Sequence, residues 1–207
     1  MAQHRPNRPN SAPLRRSSGF SLVELCVATA VMLVLSALAI PKINRAMHLY
    51  QLNAAASQVA DIVKFTRFEA IRRNIGVNCR VQPQGTNYVV WADSNNDGNP
   101  DVPERQYIMT ASPTFLTAGN VASAGSLASA LGVTSLTTLS ASGTTQSILF
   151  DQRGAVNFGA NAVTVYVFYI GISQDASPEF RAVVVLPSGA TQIWVGDPST
   201  STWRQIG

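Results

Sequence analysis

The chain has 207 residues, 46% apolar and 13% charged, enough for one compact domain beside an anchor and with nothing that demands two domains. Its formal charge of +4 resides in four early arginines, Arg5, Arg8, Arg15 and Arg16. From Arg80 onward five arginines are set against eight acids, which argues against a phosphate-binding surface there.

The first element is the run 20–40, FSLVELCVATAVMLVLSALAI, with one acid and no base. At about 1.5 Å per helical residue it is long enough to cross a bilayer core. The basic leader predicts a cytoplasmic N-terminus and an exported remainder. A secretory signal would carry a shorter apolar core and a small-residue cleavage site. Here the run continues to Ile40 and ends at Pro41-Lys42. Glu24 lies inside it, where a carboxylate costs a few kcal/mol on insertion scales, so a positive partner is expected.

The segment Arg15-Arg16-Ser17-Ser18-Gly19-Phe20-Ser21-Leu22-Val23-Glu24 resembles the class III signal of type IV prepilins and type II secretion pseudopilins. That resemblance implies cleavage between Gly19 and Phe20 by a prepilin peptidase and N-methylation of Phe20. It also implies pairing of Glu24 with the N-terminal amine of a neighbouring subunit, with Pro41 as a helix-bending proline. Residues 1–19 would then be a removed leader and 20–40 a transmembrane and assembly helix. The location implied is the bacterial inner membrane, single-pass with a periplasmic head, followed by incorporation into a pilus-like fibre.

Residues 41–75 keep helical character. Leu52, Ala55, Val59, Ile62, Val63, Thr66 and Ala70 recur at steps of three and four, a stripe suited to packing on a sheet. Lys64, Arg67, Arg72 and Arg73 mostly take other faces, and Gly76 is the expected stop. After it, β-branched and aromatic runs at 77–81, 88–91, 105–109, 147–150, 163–170, 180–186 and 192–195 predict an antiparallel β head over 76–207. Turns are marked by Gln84-Gly85, Gln152-Arg153-Gly154 and Pro187-Ser188-Gly189. The fold class expected is α+β, a long N-terminal helix packed on a β-sheet head. Between Thr110 and Gln146 lies a Ser, Ala, Gly and Thr-rich connection without clear period.

The passage Arg67-Phe68-Glu69-Ala70, with Asp151-Gln152-Arg153-Gly154 and Leu186-Pro187-Ser188-Gly189, is similar to the GspH/FimT branch of pilin-like proteins. For Arg67, Glu69, Arg72 and Arg73 two roles stand open, a solvated helix face or contact with neighbouring subunits. The branch implies a non-enzymatic minor pseudopilin of a type II secretion system, assembled with other pseudopilins into a periplasmic fibre that drives exoprotein export. Its alternative is a FimT-like minor type IV pilin supporting pilus assembly or DNA uptake.

One loop stands apart. Asp93, Asn95, Asp97, Asn99, Asp101 and Glu104, with Gly98 at the sixth position, follow EF-hand ligand spacing. The flanking runs read as strands rather than helices, and the same residues suit a metal-free hairpin tip, so both alternatives stand. No cofactor is required otherwise.

Cys26 and Cys79 are expected unpaired. His4 lies in the leader and His48 just beyond the apolar run, so the head has no histidine for a nucleophile–base pair. Asp151 with Asp175, or Asp197 with Glu179, read as solvated turn carboxylates. DNA is not an expected partner: residues 196–207 have Arg204 against Asp197, and Trp203 suits a core or subunit contact better than a base stack.

Overall fold

The structure is a computed structural model that describes residues 19–110, 112–121, 124–140, 143–156, 165–172 and 179–207. The basic leader before Gly19, the start of the predicted 163–170 strand and Asp175 lie outside the described residues. By internal packing the chain divides into two units, Met1–Asn44 and Arg45–Gly207.

Helix α1 spans Leu22–Arg73 and continues through Pro41. Its described residues in the first unit are all exposed, and its most apolar window, of mean hydropathy 2.4, is entirely unburied. Length and composition suffice to cross a membrane.

In the second unit the α1 residues Leu52, Ala55, Val59, Ile62, Val63, Thr66 and Ala70 are buried, as the stripe predicted. The helix ends at Arg73, three residues before Gly76. Asn74 takes a left-handed conformation, φ +53°, its N–H donates to Ile71 O at 3.2 Å, and Ile75 N–H donates to Ala70 O at 3.2 Å. This is a Schellman cap with asparagine in the role usually given to glycine. Gly76 instead runs close to the following sheet, where a Cβ would sit 3.3 Å from Leu149 Cδ1.

Ten strands follow. β1 (Val77–Gln84), β2 (Asn87–Asp93), β3 (Gln106–Met109) and β6 (Gln146–Phe150) form one sheet in the order β3-β2-β1-β6, all pairs antiparallel. The second sheet has the order β10-β9-β8-β7-β4, from β4 (Thr114–Leu116), β7 (Val165–Gly171), β8 (Phe180–Val185), β9 (Thr191–Asp197) and β10 (Thr202–Gln205). β5 (Leu136–Thr138) pairs in parallel with Val165, Tyr166 and Val167 of β7, whereas β4 pairs with Tyr169, Ile170 and Gly171. The fold is thus the expected α+β arrangement, a long helix packed on antiparallel sheets, with β5 the one parallel strand among the described residues.

The 110–146 connection is structured. Besides β4 and β5 it carries a 3₁₀ turn, Ala118–Asn120, and a helix α2, Ala124–Leu131. One core joins the α1 stripe to inward side chains of both sheets, including Val77, Cys79, Ile148, Phe150, Phe168, Ile170, Val183 and Val185. A second core on the opposite face of β7 and β8 holds Leu127 from α2, Tyr169, Val184 and Trp203. Burial on both faces explains why β8 is buried throughout and apolar at every position but Arg181, rather than alternating. Trp203 packs on Tyr169 with ring centroids 5.8 Å apart, so it is a core residue. Both cysteines are free; burial pushes the Cys79 thiol up to about 12, a structural rather than reactive thiol.

Candidate functional site

The three sequence pieces that resemble one family meet in space. Arg67 on α1 donates from Nε to Gly154 O at 3.0 Å, in the turn after β6. That turn is closed by Gly154 N–H to Asp151 O at 2.9 Å and by Asp151 Oδ1, which accepts from Arg153 and Ala155 N–H at 2.9 Å each. Val156 N–H then donates to Pro187 O at 3.0 Å, tying it to the β8–β9 turn. The latter is closed by Gly189 N–H to Leu186 O at 2.8 Å. Gly154 and Gly189 take φ +74° and +77°. A Cβ on Gly189 would strike the Gly154 carbonyl, and one on Gly154 would lie 2.6 Å from Ile71 Cδ1. Helix, first sheet and second sheet are latched at one point where only backbone fits.

Glu69 closes the same helix end. It is 6% exposed and accepts from Arg72 Nη2 at 2.7 Å and from Arg73 Nε at 2.8 Å, while Arg73 Nη1 donates to Ser94 O at 3.1 Å. Glu69 is buried rather than solvated, while Arg72 and Arg73 stay on the exposed face; Arg73 reaches the β2–β3 loop through Ser94 O, and Arg67 reaches the turn after β6. The hydrogen bonds from Arg72, followed by those from Arg73, outweigh burial and hold the Glu69 carboxyl below its ordinary value of 4.5. A lowered folded value stabilises the fold above the unfolded pKa, and that contribution is lost as pH falls through the folded one. Glu69→Gln is therefore expected to cost about 1.5 kcal/mol at neutral pH, and the gap from wild type should narrow as pH falls below the ordinary carboxyl value of 4.5. Urea midpoints of both proteins at neutral and acid pH check this; a gap unchanged by pH would show that charge is not what Glu69 contributes.

A buried cation lies on β8. Arg181, 4% exposed, donates from Nε to Asn53 Oδ1 of α1 at 2.7 Å and from Nη1 to Phe180 O at 3.1 Å, with Glu179 at 3.5 Å. Desolvation lowers its pKa. Pattern reading missed it, since a lone arginine in an apolar run carries no signal of its partner.

Along the open groove beside the latch, about 520 Å³, lie Lys64, Arg67, Phe68, Ile71, Gly189, Ala190 and Thr191. Phe68 and Ile71 are exposed there.

The 93–104 loop joins β2 to β3, strands paired from Tyr88↔Met109 to Trp91↔Gln106. Asp93 is fully buried: its Oδ2 accepts from Arg80 Nε and from Gly98 N–H at 3.2 Å, while Oδ1 has no partner. Glu104 Oε1 accepts from Ser94 N–H at 2.6 Å and Asn95 N–H at 3.3 Å, and Oε2 from Asp101 N–H at 3.4 Å, clasping the loop's two ends. Asp97 Oδ1 accepts from Asn99 N–H at 2.8 Å, and Asp97 Oδ2 accepts from Asn95 Nδ2 at 3.0 Å. Asn99 N–H holds Asp97 low, and contact with Asp97 raises Asp101. Among the described residues no three His, Cys, Asp or Glu side chains form a cage that would hold a metal. Arg105 stacks over Phe65 of α1 at 5.1 Å, anchoring the loop's far end.

At the other end of the chain, Gly19 and Phe20 precede α1, and Glu24 lies in its first turn; all three are exposed.

The model of one protein family, described as type II transport protein GspH, matches residues 55–189. That span takes in the whole latch and the 93–104 loop, and begins beyond residues 20–41. No significant match to a curated protein or to a solved structure was found.

Proposed function

Since this chain belongs to the GspH family, whose pseudopilins are structural subunits, we propose that it is a minor pseudopilin of a type II protein secretion system. The observation that carries this is the family match over the latched head, joined in sequence to an α1 segment whose apolar window has no buried residue. Such a segment requires either lipid or other apolar helices around it.

In this proposal the prepilin peptidase cleaves between Gly19 and Phe20 and methylates the new terminus. The subunit waits in the inner membrane with its head in the periplasm, then enters a fibre with other pseudopilins. There the apolar helices bundle in the core, and Glu24 meets the terminal amine of a neighbour, offsetting the cost of its charge in an apolar setting. The head's contribution is rigidity: Arg67 ties α1 to the turn after β6 and Arg181 ties it to β8, so force applied along the helix is passed to the head. This role needs no catalytic residue.

The test is the fraction of an exported protein that reaches the medium in a strain lacking the gene, with envelope integrity controlled. Retention in the periplasm, restored by the wild-type gene, is expected. Unimpaired secretion would overturn the assignment to type II secretion and transfer it to a FimT-like minor type IV pilin, with piliation and DNA uptake measured next.

A further inference from the structure

Helix α1 has a second apolar face besides the stripe that packs on the sheets. Lys64, Arg67, Phe68 and Ile71, spaced three and four apart, line the open groove of about 520 Å³ together with Gly189, Ala190 and Thr191. Phe68 is 59% exposed and Ile71 46%, an adjacent apolar pair whose contact with water a partner would remove. Lys64 and Arg67 are the charged residues that line it, and Arg67 is fixed in place by its hydrogen bond to Gly154 O. The occupant that suits this surface is an apolar side chain flanked by carboxylates.

The same chain carries such a group. In the β2–β3 loop Val102 is 91% exposed, next to the exposed Asp101 and with Asp97 exposed nearby. The loop is braced from within, because Glu104 accepts from Ser94, Asn95 and Asp101 N–H, so little ordering is needed for it to dock. Loop and groove lie on different sides of α1 but level with the same turns. The loop's ends meet Arg73, through Ser94 O, and Phe65, through Arg105, while the groove follows Lys64 to Ile71. One molecule therefore does not fill its own groove, whereas a neighbour set beside it with a parallel α1 brings its loop level with that groove.

We propose that the groove receives the β2–β3 loop of a second copy of this chain, with Val102 against Phe68 and Ile71 and Asp101 facing Lys64 and Arg67. The contact joins two different surfaces, so each added copy leaves one loop and one groove open, and the copies extend as a row instead of closing into a dimer. This deepens the fibre reading and rests on it for the parallel setting of the α1 helices. A single loop in a groove is a small contact of the weak, transient class. Anchorage of both copies in one membrane raises their effective concentration and so its occupancy.

The test is disulfide trapping between full-length copies in phosphatidylcholine vesicles. Cys26→Ala is present throughout, and Cys79 is buried. One copy carries Val102→Cys and a differently tagged copy carries Ala190→Cys, which leaves Phe68 and Ile71 in place. Val102→Cys with Ile206→Cys is the control, since Ile206 is exposed and does not line the groove. After mild oxidation the mixed disulfide at 102 and 190 is expected in at least about fivefold greater yield than the control. Lys64→Glu in the Ala190→Cys copy is expected to lower that yield about threefold, and Asp101→Lys in the Val102→Cys copy to restore it. A yield equal to the control overturns the proposal and leaves the groove to a partner other than this chain. A yield indifferent to Lys64→Glu overturns it as well, since chance collision in the vesicle would then account for the disulfide. The secretion assignment is read separately, from the deletion strain, and does not depend on which faces of the head meet.

Discussion

Gly189→Ala is expected to destabilise the head by about 3 kcal/mol, lowering its melting temperature by about 10 °C. Two costs add. Alanine at φ +77° carries about 1 kcal/mol of backbone strain. The new Cβ would also strike the Gly154 carbonyl and lie 2.9 Å from Arg67 Nε, parting the two turns and the Arg67 hydrogen bond between them. The struck atom is backbone, so no rotamer change relieves it. Gly85→Ala is the control, because Gly85 has φ +64° but nothing within 4 Å of a Cβ, and only the strain remains. Thermal and urea unfolding of both variants separates the two costs. Equal losses would mean that close approach at the latch contributes nothing.

Replacing Gly19 with valine is expected to abolish processing, leaving an unprocessed precursor in the membrane. A Cβ at Gly19 would meet nothing within 4 Å, so the substitution leaves the fold alone and acts through peptidase recognition. Glu24→Ala behaves differently: it should be inserted and cleaved, since removing a carboxylate from an apolar segment favours insertion by a few kcal/mol. Its loss is in assembly, where the neighbour's terminal amine finds no countercharge, and a drop of about tenfold in fibre incorporation is expected. Gel mobility reports cleavage, and sheared-fibre fractions report incorporation. Wild-type incorporation of the Glu24 variant would sink the pairing idea.

Much of the fold was legible because its signals are local. The α1 stripe from Leu52 to Ala70 has the helical period and is buried as expected. The seven predicted strand runs each coincide with an observed strand, adjusted at their ends. What escaped was short or unpatterned. β4 and β5 are three residues each, held by the edge of β7 rather than by their own composition. α2, from a small-residue segment, is secured by Leu127 packing into the core that holds Trp203. The helix stops at Arg73, just before Gly76, and Asn74 adopts the left-handed cap for which glycine is the usual signal.

By itself the sequence determined the apolar segment, the acid within it, the α+β order and the excess of acids over bases after Arg80, since each depends on neighbouring residues or on totals. Only the tertiary structure decided that Arg67 meets Gly154, 87 positions away, that Arg181 meets Asn53, 128 positions away, and that Glu69 is buried rather than solvated. Such meetings follow from sheet register and from how helix and sheets pack. A one-residue change of register moves every side chain of a strand to the opposite face, and local patterns of charge do not record which face a distant partner occupies.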